Sequence, residues 1–317
     1  MWNGQEVIKQ VEADLKLKVF SGAEFSVLDQ GKKSHFLFGY AQHFPALEKL
    51  VSKKMWDLAS VTKVVGTGTV LIDLILGGKI KLDQPIKTYL PEFSNETLTV
   101  RECLTHTSGI DPYIEHRDQL TFSEFKQAIL NISVSTDKTF RYTDVNFILL
   151  GFLLEHYFQA SLDEIFKKTV FERWHMTHIA FGPVDNAVVT SQQIACGHVH
   201  DPKAQVLGVE CGSAGLFSDL ETLERFVEGY FSDDKYLQLV KNYARGHKKR
   251  SLAWDILEKD DHWLLHTGYT GTFILLNLVE KKAVIFLSNR VYFKDDRAQW
   301  IKDRDDLIAL FVKGFEK

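Results

Sequence analysis

The most restrictive feature of this chain is the stretch from Ser60 to Leu76, apolar nearly all round a helical circumference (Val64, Val65, Val70, Leu71, Ile72, Leu74, Ile75). A helix without a polar face belongs in the centre of a molecule, so this spacing predicts burial. Gly77-Gly78 supplies the glycine stop expected at its C-terminus. The rest of the chain must wrap that helix. With 317 residues, 45% of them hydrophobic, it can do so as one large or two ordinary domains.

Both ends of the chain carry strand signals. Residues 23–28 and 34–40 are short β-like runs joined by a turn at Asp29-Gln30-Gly31-Lys32. Residues 272–279 and 283–288 form a second hairpin pattern across Glu280-Lys281-Lys282. A first helix places Val7, Ile8, Val11 and Leu15 on one face, and a closing helix carries Trp300, Ile301, Leu307, Ile308, Phe311 and Phe315. The middle reads as mostly helical, with capping boxes at Thr121-Phe122-Ser123-Glu124 and Ser218-Asp219-Leu220-Glu221 and a further helix over 147–158. The expected class is therefore α+β: one antiparallel sheet built from both termini, flanked by helices, with an inserted helical subdomain. The boundaries implied are 1–59 with 206–317 for the sheet domain, which also packs the 60–76 helix, and 60–205 for the mainly helical subdomain.

A net charge of -4 with scattered lysine pairs predicts no nucleic-acid partner. Cys103, Cys196 and Cys211 lack a CxxC spacing and read as small core residues in a reducing compartment. No apolar run is read as approaching the roughly 18 residues that span a bilayer; the stretch from Phe147 is cut by Glu155. Residues 1–6 carry no basic, apolar leader, and the expected location is cytoplasmic.

Ser-x-x-Lys pairs are cheap, and four occur: Ser60/Lys63, Ser123/Lys126, Ser135/Lys138 and Ser232/Lys235. Ser123 and Lys126 fall on the solvated face of an amphipathic helix, and the last two pairs lie in polar or acidic turns. Only Ser60 opens a buried helix. Residues i and i+3 share a helix face, so the Lys63 amine can reach the Ser60 hydroxyl. The helix N-terminus favours developing negative charge, and burial is expected to push the lysine towards its neutral form, activating the serine. No GxSxG, P-loop or HExxH motif competes. His198-Val199-His200-Asp201 has no further ligands at metal spacing and reads as a loop bordering a cleft. No metal and no cofactor are expected.

Asp57-Leu58-Ala59-Ser60-Val61-Thr62-Lys63 resembles the first motif of the serine β-lactamase and penicillin-binding-protein-like superfamily. The resemblance is to the class C β-lactamase-like branch, with its carboxylesterases and D-aminopeptidases. Tyr142-Thr143-Asp144 resembles the second motif, Tyr-x-Asn, and His266-Thr267-Gly268 the third, Lys/His-Thr-Gly. Residues 78–91, 99–109 and 212–218 resemble further family segments in the same order. The resemblance implies a β-lactamase/transpeptidase-like fold. It also implies Tyr142 as base or proton shuttle with Lys63, an oxyanion hole from the backbone N–H groups of Ser60 and Tyr269, and substrate contacts from Asp144, His266, Thr267 and Gly268.

Two departures shape the functional expectation. Asp144 replaces an amide that donates to the substrate's acyl side chain, and an ionised carboxylate can only accept. His266 replaces a fixed lysine charge with a titratable ring. The expected activity is hydrolysis of a small ester or amide through an acyl-enzyme on Ser60. The alternatives are β-lactamase or D-alanyl-D-alanine carboxypeptidase activity, or a slow-turnover penicillin-binding sensor or scaffold. The expected partner is a small ester, amide or β-lactam, with no oligomeric state implied.

Overall fold

The two sequence-distant hairpins meet edge to edge. In the computed structural model, which describes residues 2–258 and 260–316, the chain begins with α1 (Gln5–Lys16), β1 (Gly22–Asp29), β2 (Lys32–Gln42), β3 (Glu48–Lys49) and β4 (Trp56–Asp57). Helices α2 (Thr69–Leu76), α3 (Val100–Leu104), α4 (Phe122–Leu130), α5 (Val145–Phe158) and α6 (Leu162–Phe166) follow. Then come β5 (Ile179–Phe181), α7 (Pro202–Val206), β6 (Leu216–Ser218), α8 (Leu220–Phe231), β7 (Asp255–Ile256), β8 (Trp263–Thr267), β9 (Phe273–Asn277), β10 (Lys282–Ser288) and α9 (Arg297–Lys313). The main sheet runs β3-β2-β1-β10-β9-β8-β7, and its pairs are antiparallel. A small sheet, β4-β6-β5, lies beside the central helix.

Strand periodicity sorts the core into two layers. Ala23, Phe25, Val27, Phe273, Leu275, Val284 and Phe286 pack with α1 and α9 through Val7, Val11, Leu307 and Phe311. Their alternates Leu28, Ile274, Leu276, Ile285 and Leu287 face the helical side. A sheet buried on both faces accounts for strands that are apolar almost throughout. The β1–β2 turn takes positive φ at both Gln30 and Gly31, which matches the right-handed strand twist.

The central helix is buried as expected but is not a regular α-helix. It opens as a 3-10 turn over Ala59–Val61, widens to a π-turn over Val64–Gly68 and becomes α only from Thr69. The Thr69 hydroxyl donates to the Val64 carbonyl (2.6 Å), drawing that acceptor out of the usual ladder. The membrane expectation is corrected on one point. Ala59–Leu76 is long and apolar enough by composition to cross a bilayer, and 72% of it is buried inside the protein, where the core uses its apolarity. Val145–Phe158 and Leu162–Phe171 pass the same test only as a pair bent by 78°.

Two smaller expectations also change. The box at Thr121 and Glu124 forms, but Ser218 belongs to β6 and Asp219 alone caps α8, accepting from Thr222 N–H (2.8 Å). Cys103 and Cys211 are core residues, whereas Cys196 is exposed.

The segment before β6 presses on α5 with no room for a side chain. A Cβ on Gly212 would lie 2.2 Å from the Phe147 carbonyl oxygen and 3.0 Å from Gly151 Cα. Gly212→Ala is therefore expected to lower the melting temperature by several degrees, the effect of about 1–3 kcal/mol. Thermal denaturation of the two proteins checks it; an unchanged transition would show that the backbones can separate.

Candidate active site

Ser60 owes its presentation to a strained turn. Ala59 sits at φ 45, in the left-handed region that costs a residue with a Cβ about 1–2 kcal/mol. The buried Asp57 holds it there, accepting from Ala59 N–H (2.8 Å) on one oxygen and from His200 N–H (2.9 Å) on the other. Burial pushes the Asp57 carboxyl up to about 6, against the pull of those two bonds. Ser60 then stands in the first helical turn, where backbone N–H groups lack intrahelical acceptors.

Lys63 is completely buried. Its Nζ donates to Ser60 Oγ (2.7 Å), Asp144 Oδ1 (2.8 Å) and the Ser213 carbonyl (3.0 Å). Three acceptors around one nitrogen are the coordination of an ammonium. Burial opposes that charge, but Asp144 and Tyr142 override it and hold the amine above its ordinary 10.5. The expected drift towards a neutral lysine is thus reversed, because the sequence does not show an anion against the amine.

That anion is Asp144. It occupies the N-cap position of α5, yet its side chain makes no cap. It turns instead to Lys63 on one oxygen and to Lys203 Nζ on the other (2.8 Å). Although burial resists ionisation, the two ammonium groups keep the carboxyl below its ordinary 3.8. Asp144 is a carboxylate with both oxygens engaged, not an open substrate contact.

Tyr142 is the exposed member, at 42% of its full accessibility. It stacks on His106 at 4.4 Å between centroids and lies 5.3 Å from Lys63 Nζ. Burial, aided by the charge of Arg250, keeps His106 neutral, and its Nδ1 faces the Asn146 side-chain nitrogen at 2.9 Å. His266 is also brought to the cluster, with its ring 6.5 Å from Tyr142, but it is 4% exposed and lies in the wall rather than lining an open cleft. Burial first, then the charges of Lys63 and Arg250, hold it well below 6.5, so it is a neutral imidazole. Neither of its ring nitrogens has a hydrogen-bond partner among the described residues.

The turn after β8 is pinned to the strand before Ser60. Thr270 Oγ1 donates to the Asp57 carbonyl (2.8 Å) and Thr272 Oγ1 to the Leu58 carbonyl (3.1 Å), while Gly268 N–H closes on Thr272 O (2.7 Å). Gly268 is required there: a Cβ would fall 2.6 Å from the Leu58 carbonyl oxygen. Tyr269 follows, its carbonyl held by Arg290 Nε (2.6 Å), its hydroxyl by Asp295 and its ring stacked on His200 at 5.6 Å. These contacts bring the Tyr269 and Ser60 backbones to one side of the cluster. His198 stays exposed, its Nδ1 against the Cys196 carbonyl (3.2 Å).

Several participants carry no motif signal. Lys203, Arg250 and Arg304, whose Nη1 donates to Thr267 Oγ1 (3.4 Å), come from segments whose proximity to Ser60 the sequence does not reveal, and the family-like segment 212–218 does not by itself mark the Ser213 carbonyl as an acceptor for Lys63. Among the decoys, Lys126 reaches Glu92 and the Phe152 ring, and Lys138 and Lys235 bind the Ser108 carbonyl and Asp73.

The fold around this cluster is that of the serine β-lactamases and transpeptidases. It aligns with a class C beta-lactamase structure at a TM-score of 0.81 and 18% identity, covering 99% of this chain and 96% of that one. The chain belongs to the Beta-lactamase family, which matches it over residues 7–307 and whose members are serine hydrolases. Among curated relatives, "Protein flp" of Staphylococcus aureus (strain N315) is 25% identical over 90% of this chain. The "Putative D-alanyl-D-alanine carboxypeptidase" of Salmonella agona (strain SL483) is 25% identical over 80% of it and 74% of the relative. The chain spans 63% of the length of the Staphylococcus protein.

The ion pair predicts a pH signature. A carboxyl held below its ordinary value contributes stability that is present above about pH 4 and is lost as pH falls further. Asp144→Asn should cost about 3–5 kcal/mol at neutral pH by stranding two ammonium groups. The gap in melting temperature from the wild type should narrow below about pH 4. A gap constant with pH would show that Asp144 is not ionised.

Proposed function

We propose that this chain hydrolyses small esters or amides through an acyl-enzyme on Ser60, with Tyr142 as the base and Lys63 as a lasting ammonium. The supporting observation is that the three N–H directions of Lys63 are occupied, one of them by Ser60 Oγ itself, which leaves the amine no lone pair for the serine proton. Tyr142, its ring centroid 5.3 Å from Lys63 Nζ, is the exposed member of the cluster left to take that proton. Ser60 Oγ attacks the carbonyl carbon while its proton passes to the Tyr142 oxygen. The N–H groups of Ser60 and Tyr269 hold the oxyanion. Tyr142 then returns the proton to the leaving oxygen or nitrogen. Water attacks the acyl ester, giving up a proton to Tyr142, and the departing Ser60 oxygen takes it back.

The preference for esters and simple amides over β-lactams rests on Asp144. With its oxygens bound to Lys63 and Lys203, it offers no N–H to an acyl side-chain carbonyl. Steady hydrolysis of a p-nitrophenyl ester should therefore exceed that of a chromogenic cephalosporin by about tenfold or more in kcat/KM, the worth of one lost hydrogen bond. Ser60→Ala should abolish both, together with labelling by a fluorophosphonate. Labelling that survives the substitution refutes the nucleophile, and faster cephalosporin turnover refutes the preference.

One observation favours a second reading, D-amino-acid carboxypeptidase activity, which the name of the Salmonella relative also suggests. Arg304 stands at Thr267, where its guanidinium could anchor a terminal carboxylate. Under this reading Arg304→Gln raises KM for a peptide ending in D-alanyl-D-alanine by about tenfold to a hundredfold and leaves ester KM unchanged. Equal effects on both substrates remove Arg304 from carboxylate binding.

A further inference from the structure

Lys203 has no place in the chemistry above, yet it is a largely buried cation bonded to the cluster through Asp144. It occupies the second position of α7, after Pro202, and Asp201 caps that helix by accepting from Lys203 N–H (2.9 Å) and Ala204 N–H (3.0 Å). The segment is anchored on both sides, by His200 N–H on Asp57 (2.9 Å) and by Gln205 Nε2 on the Val199 carbonyl (2.8 Å). Its Nζ lies 2.8 Å from Asp144 Oδ2 and 3.6 Å from Asp201 Oδ2. The cap fixes the backbone that carries Lys203, and its largely buried side chain ends between two carboxylates, so its position at Asp144 is built rather than incidental.

We propose that Lys203 is a positioning residue for the Ser60–Lys63–Tyr142 set: it takes one oxygen of Asp144, leaving Lys63 a partner on the other and a free direction towards Ser60. This rests on the roles proposed above for those three residues. Without Lys203 the whole carboxylate charge falls on Lys63, whose ammonium can then be drawn onto both oxygens and away from Ser60 Oγ. The same uncompensated anion opposes a phenolate at Tyr142. The other groups around Tyr142 do not change with Lys203. His106 and His266 are neutral, Lys63 stays cationic, and the buried Arg250 interacts electrostatically with Tyr142. Lys203 itself faces Asp144, Asp201 and, more remotely, Arg117. The inference also explains how an aspartate is tolerated in the second motif: Asp144 and Lys203 enter as a compensating pair.

The test is the pH dependence of kcat/KM for p-nitrophenyl ester hydrolysis by the full chain. The sign follows from the charge: an unbalanced Asp144 makes the phenolate harder to form, so the acid limb moves to higher pH. Lys203→Met should move it up by about one pH unit, about a tenfold loss on the acid side, with a smaller loss on the plateau. Lys203→Arg should restore the wild-type limb. Asp144→Asn/Lys203→Met, which removes both charges, should return the limb close to wild type, and it carries the test together with Lys203→Arg if the single variant does not fold. A profile for Lys203→Met that overlays wild type overturns the proposal. So does a uniform loss that arginine does not rescue, or a double variant displaced like the single one. Ser60→Ala run in parallel separates the two readings, because activity surviving that change refutes the nucleophile whatever Lys203 does.

Discussion

The site depends on a buried ammonium. A charge with no solvent access persists in a protein only if its donors are met, and Lys63 meets them on Ser60, Asp144 and Ser213. Those acceptors lie 3, 81 and 150 residues away along the chain. One nitrogen therefore ties together the central helix, the start of α5 and the segment before β6. The close approach of Gly212 to α5 and the Thr67 hydroxyl on the Gly212 carbonyl (2.8 Å) serve the same junction. Shape and charge thus reinforce each other: the segment before β6 approaches α5 because Gly212 and Gly151 allow it, and the approach delivers the Ser213 carbonyl to the lysine.

A second constraint acts on the backbone. The strained Ala59 and the side-chain-free Gly268 face one another across the bonds from Thr270 and Thr272 to residues 57 and 58. Neither feature contributes stability by itself. Together they let the end of β8 lie against the first turn of the central helix, the arrangement that the proposed pair of N–H donors at Ser60 and Tyr269 requires. Strain at the turn that presents Ser60 is offset by the hydrogen bonds to Asp57.

The legible part of the molecule was the part written in local chemistry. Short apolar, β-rich runs joined by turn residues marked both hairpins, Thr121 and Glu124 marked the start of α4, and an all-apolar circumference marked the buried helix. Ser60 stood out from its decoys because it alone opened such a helix, while Tyr142 and His266 were legible only through ordered family motifs. What could not be read was protonation. Burial suggested a neutral Lys63 and left Asp144 open, because a pKa depends on which charges come within a few ångströms, and those come from distant segments. Lys203 illustrates the point, since a lysine after a proline in a polar loop looks like any surface cation.

The sequence by itself determined the fold class, the central position of the apolar helix and which Ser-x-x-Lys pair opens it, because hydrophobic periodicity and helix-face spacing are properties of neighbouring residues. Only the tertiary structure decided the charge state of the cluster: Lys63 a bound cation, Asp144 an anion shared with Lys203, His266 a neutral residue in the wall. The physical reason is that ionisation in a buried site is set by long-range neighbours and lost solvent, neither of which is written in a local stretch of chain.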